Sequence, residues 1–173
     1  MNQKTRWITE TAIMLALLVI LQAVTKSAGQ LVTGSCVNAV LAVSVLVAGF
    51  SSGLTVALVS PFVAFLLGIG PQLLPIVPAI ALGNAVYVLL LGRLFGKKPP
   101  VWQQALAVAG SAGAKFLTLY LLVVKVLCSI LPLKQPQIAT FSTMFTWPQL
   151  ITALIGGTAA LLIVPVIRKA LHR

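Results

Sequence analysis

Six apolar runs, each about the length of one helix, follow one another between Trp7 and Ile167 with only short breaks between them. Of 173 residues, 60% are hydrophobic and 8% charged. A water-soluble domain needs about 25% charged residues to cover its surface. This chain has far fewer, so most of its outer surface must face hydrocarbon. A spanning helix takes ~20 apolar residues, somewhat fewer where the bilayer thins. The length therefore suits about six spans packed as one domain over residues 1–173, an all-α integral membrane bundle.

The breaks set the expected boundaries. The first helix is expected from about Trp7 to Val24, followed by a polar connection from Thr25 to Gly34. The second runs from about Ser35 to Phe50 and breaks at Ser51-Ser52-Gly53; the third runs from about Leu54 to Leu67 and carries Pro61, which removes a backbone donor and is expected to kink it. Both look short for an upright crossing. The fourth covers about Leu73 to Phe95, with Pro75 and Pro78 in its first turns, and the fifth about Val101 to Leu131. A loop is expected over Pro132 to Ser142, and the sixth helix from about Phe145 to Ile167. Lys4 and Arg6 precede the first run as in a secretion signal. That run is long for a signal core, however, and no small-x-small cleavage site follows, so it reads as a retained helix.

Twelve Lys and Arg stand against a single acid, Glu10. The cations are scattered singly, without a basic stripe or interleaved aromatics, so nucleic acid is not an expected partner. Six spans put both termini on one side. With the termini in the cytoplasm, Lys4, Arg6, Arg93, Lys97, Lys98, Arg168, Lys169 and Arg173 face inward and only Lys26 and Lys134 outward, while Lys115 and Lys125 fall within the fifth helix. That is the positive-inside bias.

Enzyme chemistry in the membrane relies on Asp, Glu or His to hold metals or move protons. Glu10 lies one turn after Arg6 and reads as its i,i+4 partner. Cys36 and Cys128 are far apart and His172 stands alone, so neither a metal site, a disulfide framework nor a cofactor is expected. Ser111 and Lys115 have the i,i+4 spacing of a Ser-Lys dyad, but no oxyanion hole can be identified beside them.

Lys115 is the residue on which function is expected to turn. It sits 14 residues into the fifth helix, ~20 Å along the axis. At that depth a lysine costs ~2.5 kcal/mol or more unless paired, solvated or snorkelling. Either it faces an aqueous cavity and meets an anionic ligand, or it snorkels outward or binds backbone carbonyls. Asn38, Asn84 and Gln149 lie at comparable depth on three other helices, and Tyr87 shares the face of Asn84. Each alone reads equally well as an interhelical hydrogen bond. Together with Lys115 and Ser111 they are the expected ligand site, opening outward. On the first helix, Ala12 and Ala16 form a small-residue pair that lets another helix approach closely.

The basic N-terminus leading into TETAIMLALLVILQAV, the short second and third helices, GNAVYVLLLGRLFGKK, AGAKFLTLYLLV and the basic tail together resemble a substrate-binding S component of an energy-coupling factor (ECF) vitamin transporter. The resemblance covers nearly the whole chain. It implies a six-helix bundle in a prokaryotic plasma membrane that takes a vitamin from outside, with the loop after the first helix as lid. It also implies docking on a transmembrane coupling subunit driven by two cytosolic ATPase subunits, with Ala12 and Ala16 as the contact and cargo released by toppling. ATP hydrolysis then belongs to the partners, and no enzymatic activity is expected of this chain. A lysine with amide neighbours suits a small carboxylate, for which pantothenate is favoured. A cobalamin-specific subunit and a non-transporting membrane scaffold remain alternatives.

Overall fold

The computed structural model describes residues 2–96 and 99–171. Lys97, Lys98 and Arg173, counted above among the inward cations, and His172 lie outside the described residues. The described chain is helical throughout its spans. α1 runs over Gln3–Thr25, α2 over Gln30–Ala48, α3 over Phe50–Leu66, α4 over Ile76–Leu94 and α5 over Val101–Ile130. A short α6 covers Gln135–Met144 and α7 covers Trp147–Ala170.

Five helical stretches are long and apolar enough to cross a membrane, and α3, at 17 residues, is the shorter sixth. At 1.5 Å per residue α3 is about 26 Å long, close to the hydrocarbon thickness of ~30 Å.

The chain departs from the expected boundaries in three places. The break between α2 and α3 falls at Gly49, whose φ of 95° only glycine adopts without strain, and not at Ser51-Ser52-Gly53. Those three residues begin α3 and pack it: a Cβ on Gly53 would stand 2.8 Å from Val45, and Ser52 is fully buried beside Thr11. α2 begins at Gln30, inside the stretch expected to be a polar connection. The loop expected over Pro132 to Ser142 contains α6, with Pro136 in its first turn, where proline's missing N–H costs nothing.

The helices close into a ring in the order α1, α2, α7, α5, α4, α3 and back to α1. α2 and α7 approach most closely. A Cβ on Gly156 would stand 2.5 Å from the Ser35 carbonyl oxygen, and one on Gly34 would stand 2.9 Å from Thr152. Small residues at such crossings let backbones approach where lipid supplies no hydrophobic drive for association. Gly156 and Ala160 thus pack the bundle itself.

The ring has two unlike ends. Lys4, Arg6, Arg93, Arg168 and Lys169 gather at one, where Arg6 pairs with Glu10 at 2.9 Å and Arg168 Nη2 donates to the Leu46 carbonyl at 2.7 Å. Lys26 and Lys134 lie at the other, with α6 and the connection after α3. There Lys26 Nζ donates to the Gly68 carbonyl at 2.7 Å, tying the end of α1 to that connection.

Candidate functional site

Inside the end that carries α6, the ring encloses a cavity of about 450 Å³. That volume falls in the usual range for small-molecule sites. Its walls are mostly apolar: Val37, Pro61, Phe65, Ile69, Val77, Ile80, Phe141 and Phe145 all line it. Lys26, Gly29, Gln30, Gly70, Pro71 and Thr140 line it from the connections and helix ends around its mouth. Gln30 Nε2 and Gln149 Nε2 both donate to the Met144 carbonyl, at 2.6 and 3.1 Å, so α2, α6 and α7 are fastened together over the cavity.

Lys115 supplies the cavity's charge. It is 3% exposed, and its Nζ donates to Asn38 Oδ1 at 2.6 Å and to Asn84 Oδ1 at 2.7 Å. Three helices, α2, α4 and α5, thus converge on one ammonium. Asn38 is held in turn by its Nδ2, which donates to the Gly34 carbonyl at 2.9 Å and to Thr152 Oγ1 at 3.3 Å. The Tyr87 ring lies 5.6 Å from Nζ, within cation–π reach. The amide oxygens solvate the charge without neutralising it. Glu10, the only acid in the chain, is paired with Arg6 at the far end of α1.

Of the residues singled out from sequence, Lys115, Asn38, Asn84 and Gln149 line the cavity. Tyr87 and Ser111 stand behind its wall. The Tyr87 hydroxyl donates to the Ala153 carbonyl at 3.2 Å, and the Ser111 hydroxyl is spent on the Ala107 and Val108 carbonyls at 2.7 and 3.1 Å. Ser111 and Lys115 are therefore bonded elsewhere rather than to each other. Ala12 and Ala16 are exposed on the outer face of α1. Cys36 is half-buried and Cys128 buried; both are free thiols, and neither lines the cavity.

Sequence reasoning passed over several polar lining residues, among them Gln22 on α1 and Ser60 on α3. The signal that pointed to Asn38 was present for Gln22 as well: an amide inside an apolar run, LLVILQAV.

A closed ring of apolar helices around a cavity that opens at one end and holds one deep lysine defines a multi-pass membrane protein built to hold a small ligand. Residues 6–168 match the family described as the ECF transporter substrate-specific component, and the chain belongs to that family. It is accordingly a substrate-specific subunit of an ECF importer. Neither the curated proteins nor the solved structures yield a match.

Proposed function

We propose that this subunit captures a small vitamin-class carboxylate from outside the cell, with Lys115 gripping the carboxylate and Asn38 and Asn84 holding the lysine in place. Pantothenate is the favoured substrate. The observation that carries this reading is the Lys115 ammonium at the cavity, 2.6 and 2.7 Å from two neutral oxygens and without an acid to balance it. An ammonium has three donors. Two are used by the asparagines, leaving the third and the net charge for a ligand anion. Gln149 lines the same cavity from α7. Tyr87 and Ser111 would act from behind, Tyr87 by placing its ring beside the charge.

The distribution of cations supports an outward mouth. Five of the described Lys and Arg lie at the closed end, two lie at the open end, and Lys125 sits five residues before the open end of α5. By the positive-inside tendency this favours a cytoplasmic position for both termini and an exterior-facing cavity, in the prokaryotic cell that the family resemblance implies. Uptake would then run through a transmembrane coupling subunit powered by two cytosolic ATPase subunits, docked on α1 at Ala12 and Ala16. Cys36 does not line the cavity, so nothing favours it as a cobalt ligand in the cobalamin alternative. Family membership speaks against a non-transporting scaffold.

The test is calorimetric titration of the detergent-purified chain with a panel of water-soluble vitamins, repeated on Lys115→Met. A charge-assisted hydrogen bond contributes about 1.5–3 kcal/mol, so the variant should lose about 10- to 100-fold in affinity for the ligand bound by the wild type. Equal affinity in the variant would remove Lys115 from the site.

A further inference from the structure

Gln22 Oε1 is the one side-chain oxygen or nitrogen among the described residues that is both cut off from solvent and without a hydrogen-bond partner. Ser60, on the neighbouring helix, is 2% exposed, lines the same cavity and has no hydrogen bond to the described residues. The other buried hydroxyls are met, Ser52 by the Thr11 hydroxyl. Ser44 donates to the Val40 carbonyl, Ser111 to that of Ala107 and Thr11 to that of Trp7, each closing a bond to the preceding helical turn. Native proteins seldom leave buried polar groups unmet, and where they do a ligand or water commonly completes them.

Helix register places the two groups at similar heights on adjacent helices. Thr11 Oγ1 lies 2.9 Å from Ser52 Oγ, which sets α1 against α3. Gln22 is eleven residues beyond Thr11 and Ser60 eight beyond Ser52, so they rise ~16 and ~12 Å from that contact at 1.5 Å per residue. A glutamine side chain spans the difference. They also face Lys115. In the ring, α1 is diametrically opposite α5. Thr33 Oγ1 donates to the Thr25 carbonyl at 2.7 Å, and from that contact Gln22 lies three residues down α1 and Asn38 five residues down α2, ~4.5 and ~7.5 Å. Gln22 thus stands at nearly the depth of the lysine's clamp, on the other side of the cavity, with Ser60 on the adjoining α3.

We infer that Gln22 and Ser60 form a second polar subsite, across the cavity from Lys115, that selects a carboxylate ligand bearing a hydroxyl group at its other end. This rests on the carboxylate reading of Lys115. A hydroxyl both donates and accepts. It therefore matches Gln22, whose Oε1 is closed to solvent as placed, once the amide turns either edge toward the ligand, and it matches the Ser60 hydroxyl in either sense. The apolar walls between the two subsites, Pro61, Phe65 and Val77 among them, suit an aliphatic body joining the two polar ends. Water filling the subsite permanently would satisfy the same atoms, but it would be indifferent to the ligand's hydroxyl.

The experiment titrates the full chain with matched pairs of carboxylates that differ only in distal hydroxyls, beginning with pantothenate and N-(3,3-dimethylbutanoyl)-β-alanine, which keeps the carboxylate and lacks both hydroxyls. The wild type should prefer the hydroxylated member ~fivefold or more, the worth of a neutral hydrogen bond. Gln22→Leu and Ser60→Ala should each erase that preference by weakening only the hydroxylated member. Undiminished binding of the other member then serves as the control for folding. If Gln22→Leu does not fold, Ser60→Ala, which deletes one oxygen atom, carries the same comparison. A preference that persists in the variants, or equal weakening of both members, overturns the subsite while leaving Lys115 in place. If no carboxylate of any pair binds the wild type, the carboxylate reading falls and the subsite with it.

Discussion

Lys115 Nζ lies 2.6 Å from Asn38 Oδ1, a contact between residues 77 apart in sequence on two helices that cross the membrane in opposite directions. A charge at such depth is costly, and its polar partners usually mark function. The amide oxygen is strong enough to hold the ammonium and too weak to cancel it. A carboxylate at position 38 would have made a closed ion pair with nothing left for a ligand. The choice of amide over acid therefore keeps the charge available.

That contrast predicts the effect of Asn38→Asp. The new carboxylate would sit where the amide oxygen sits and neutralise Lys115 internally. Carboxylate ligands should lose at least ~tenfold in affinity, the scale of one charge-assisted hydrogen bond, while thermal stability in detergent holds or rises. Calorimetry and a melting curve on the same preparation read both quantities. Unchanged affinity would mean that the ligand anion does not meet Lys115.

Packing between α2 and α7 sets a second expectation. A Cβ on Gly156 would stand 2.5 Å from the Ser35 carbonyl oxygen and 2.6 Å from the Ala39 nitrogen, and backbone atoms do not yield as flexible side chains do. Gly156→Val should lower stability by about 2–3 kcal/mol, seen as a reduced Tm. Gly113, around which nothing lies within 4 Å, provides the contrast: Gly113→Ala should leave Tm unchanged or raised.

How far the sequence spoke depended on what each polar residue faces. The six apolar runs placed the spans, because hydrocarbon tolerates little else. Ser51-Ser52-Gly53 looked like a break because small polar residues interrupt helices in water; between helices in lipid they are packing surface, and the turn fell to Gly49. Gln30, Thr33 and Gly34 looked like a loop, yet they form the first turns of α2 and line the cavity. A helical turn at the mouth of a ligand cavity has the composition of a loop. Lys115, Asn38 and Asn84 were legible because each interrupts an apolar run at depth. Tyr87 and Ser111 share that spacing, but rotation about the helix axis and bonding to neighbouring carbonyls turn them away, and single-chain periodicity does not fix such rotation. Ser60 was passed over because an intramembrane serine ordinarily bonds its own helix, and only the three-dimensional contacts reveal that this one does not.

A third expectation concerns the closed end. The last turn of α2, Ser44–Ala48, is a π-helix, and Arg168 Nη2 donates to its Leu46 carbonyl at 2.7 Å from α7. Arg168→Gln removes that long-range donor and should cost about 1–2 kcal/mol. Ligand affinity, set at the opposite end of the bundle, should stay within twofold. A large loss of affinity would mean that the two ends are coupled through α2.

If α1 docks the coupling subunit as proposed, its outer face separates binding from transport. Only Thr11 and Leu18 of this helix are buried, and Ala12, Ala16, Leu17 and Ile20 are exposed. Leucine at position 12 or 16 adds bulk only to the outside, so it disturbs neither the ring nor the cavity. Small residues at i,i+4 leave a shallow stripe that admits a partner helix closely, and a leucine there holds the partner off. Ala12→Leu and Ala16→Leu should therefore bind ligand with wild-type affinity by calorimetry and lose ATP-dependent uptake more than ~tenfold in cells that supply the coupling and ATPase subunits. Loss of ligand binding would place α1 in the site itself, and unchanged uptake would move the docking surface to another face of the bundle.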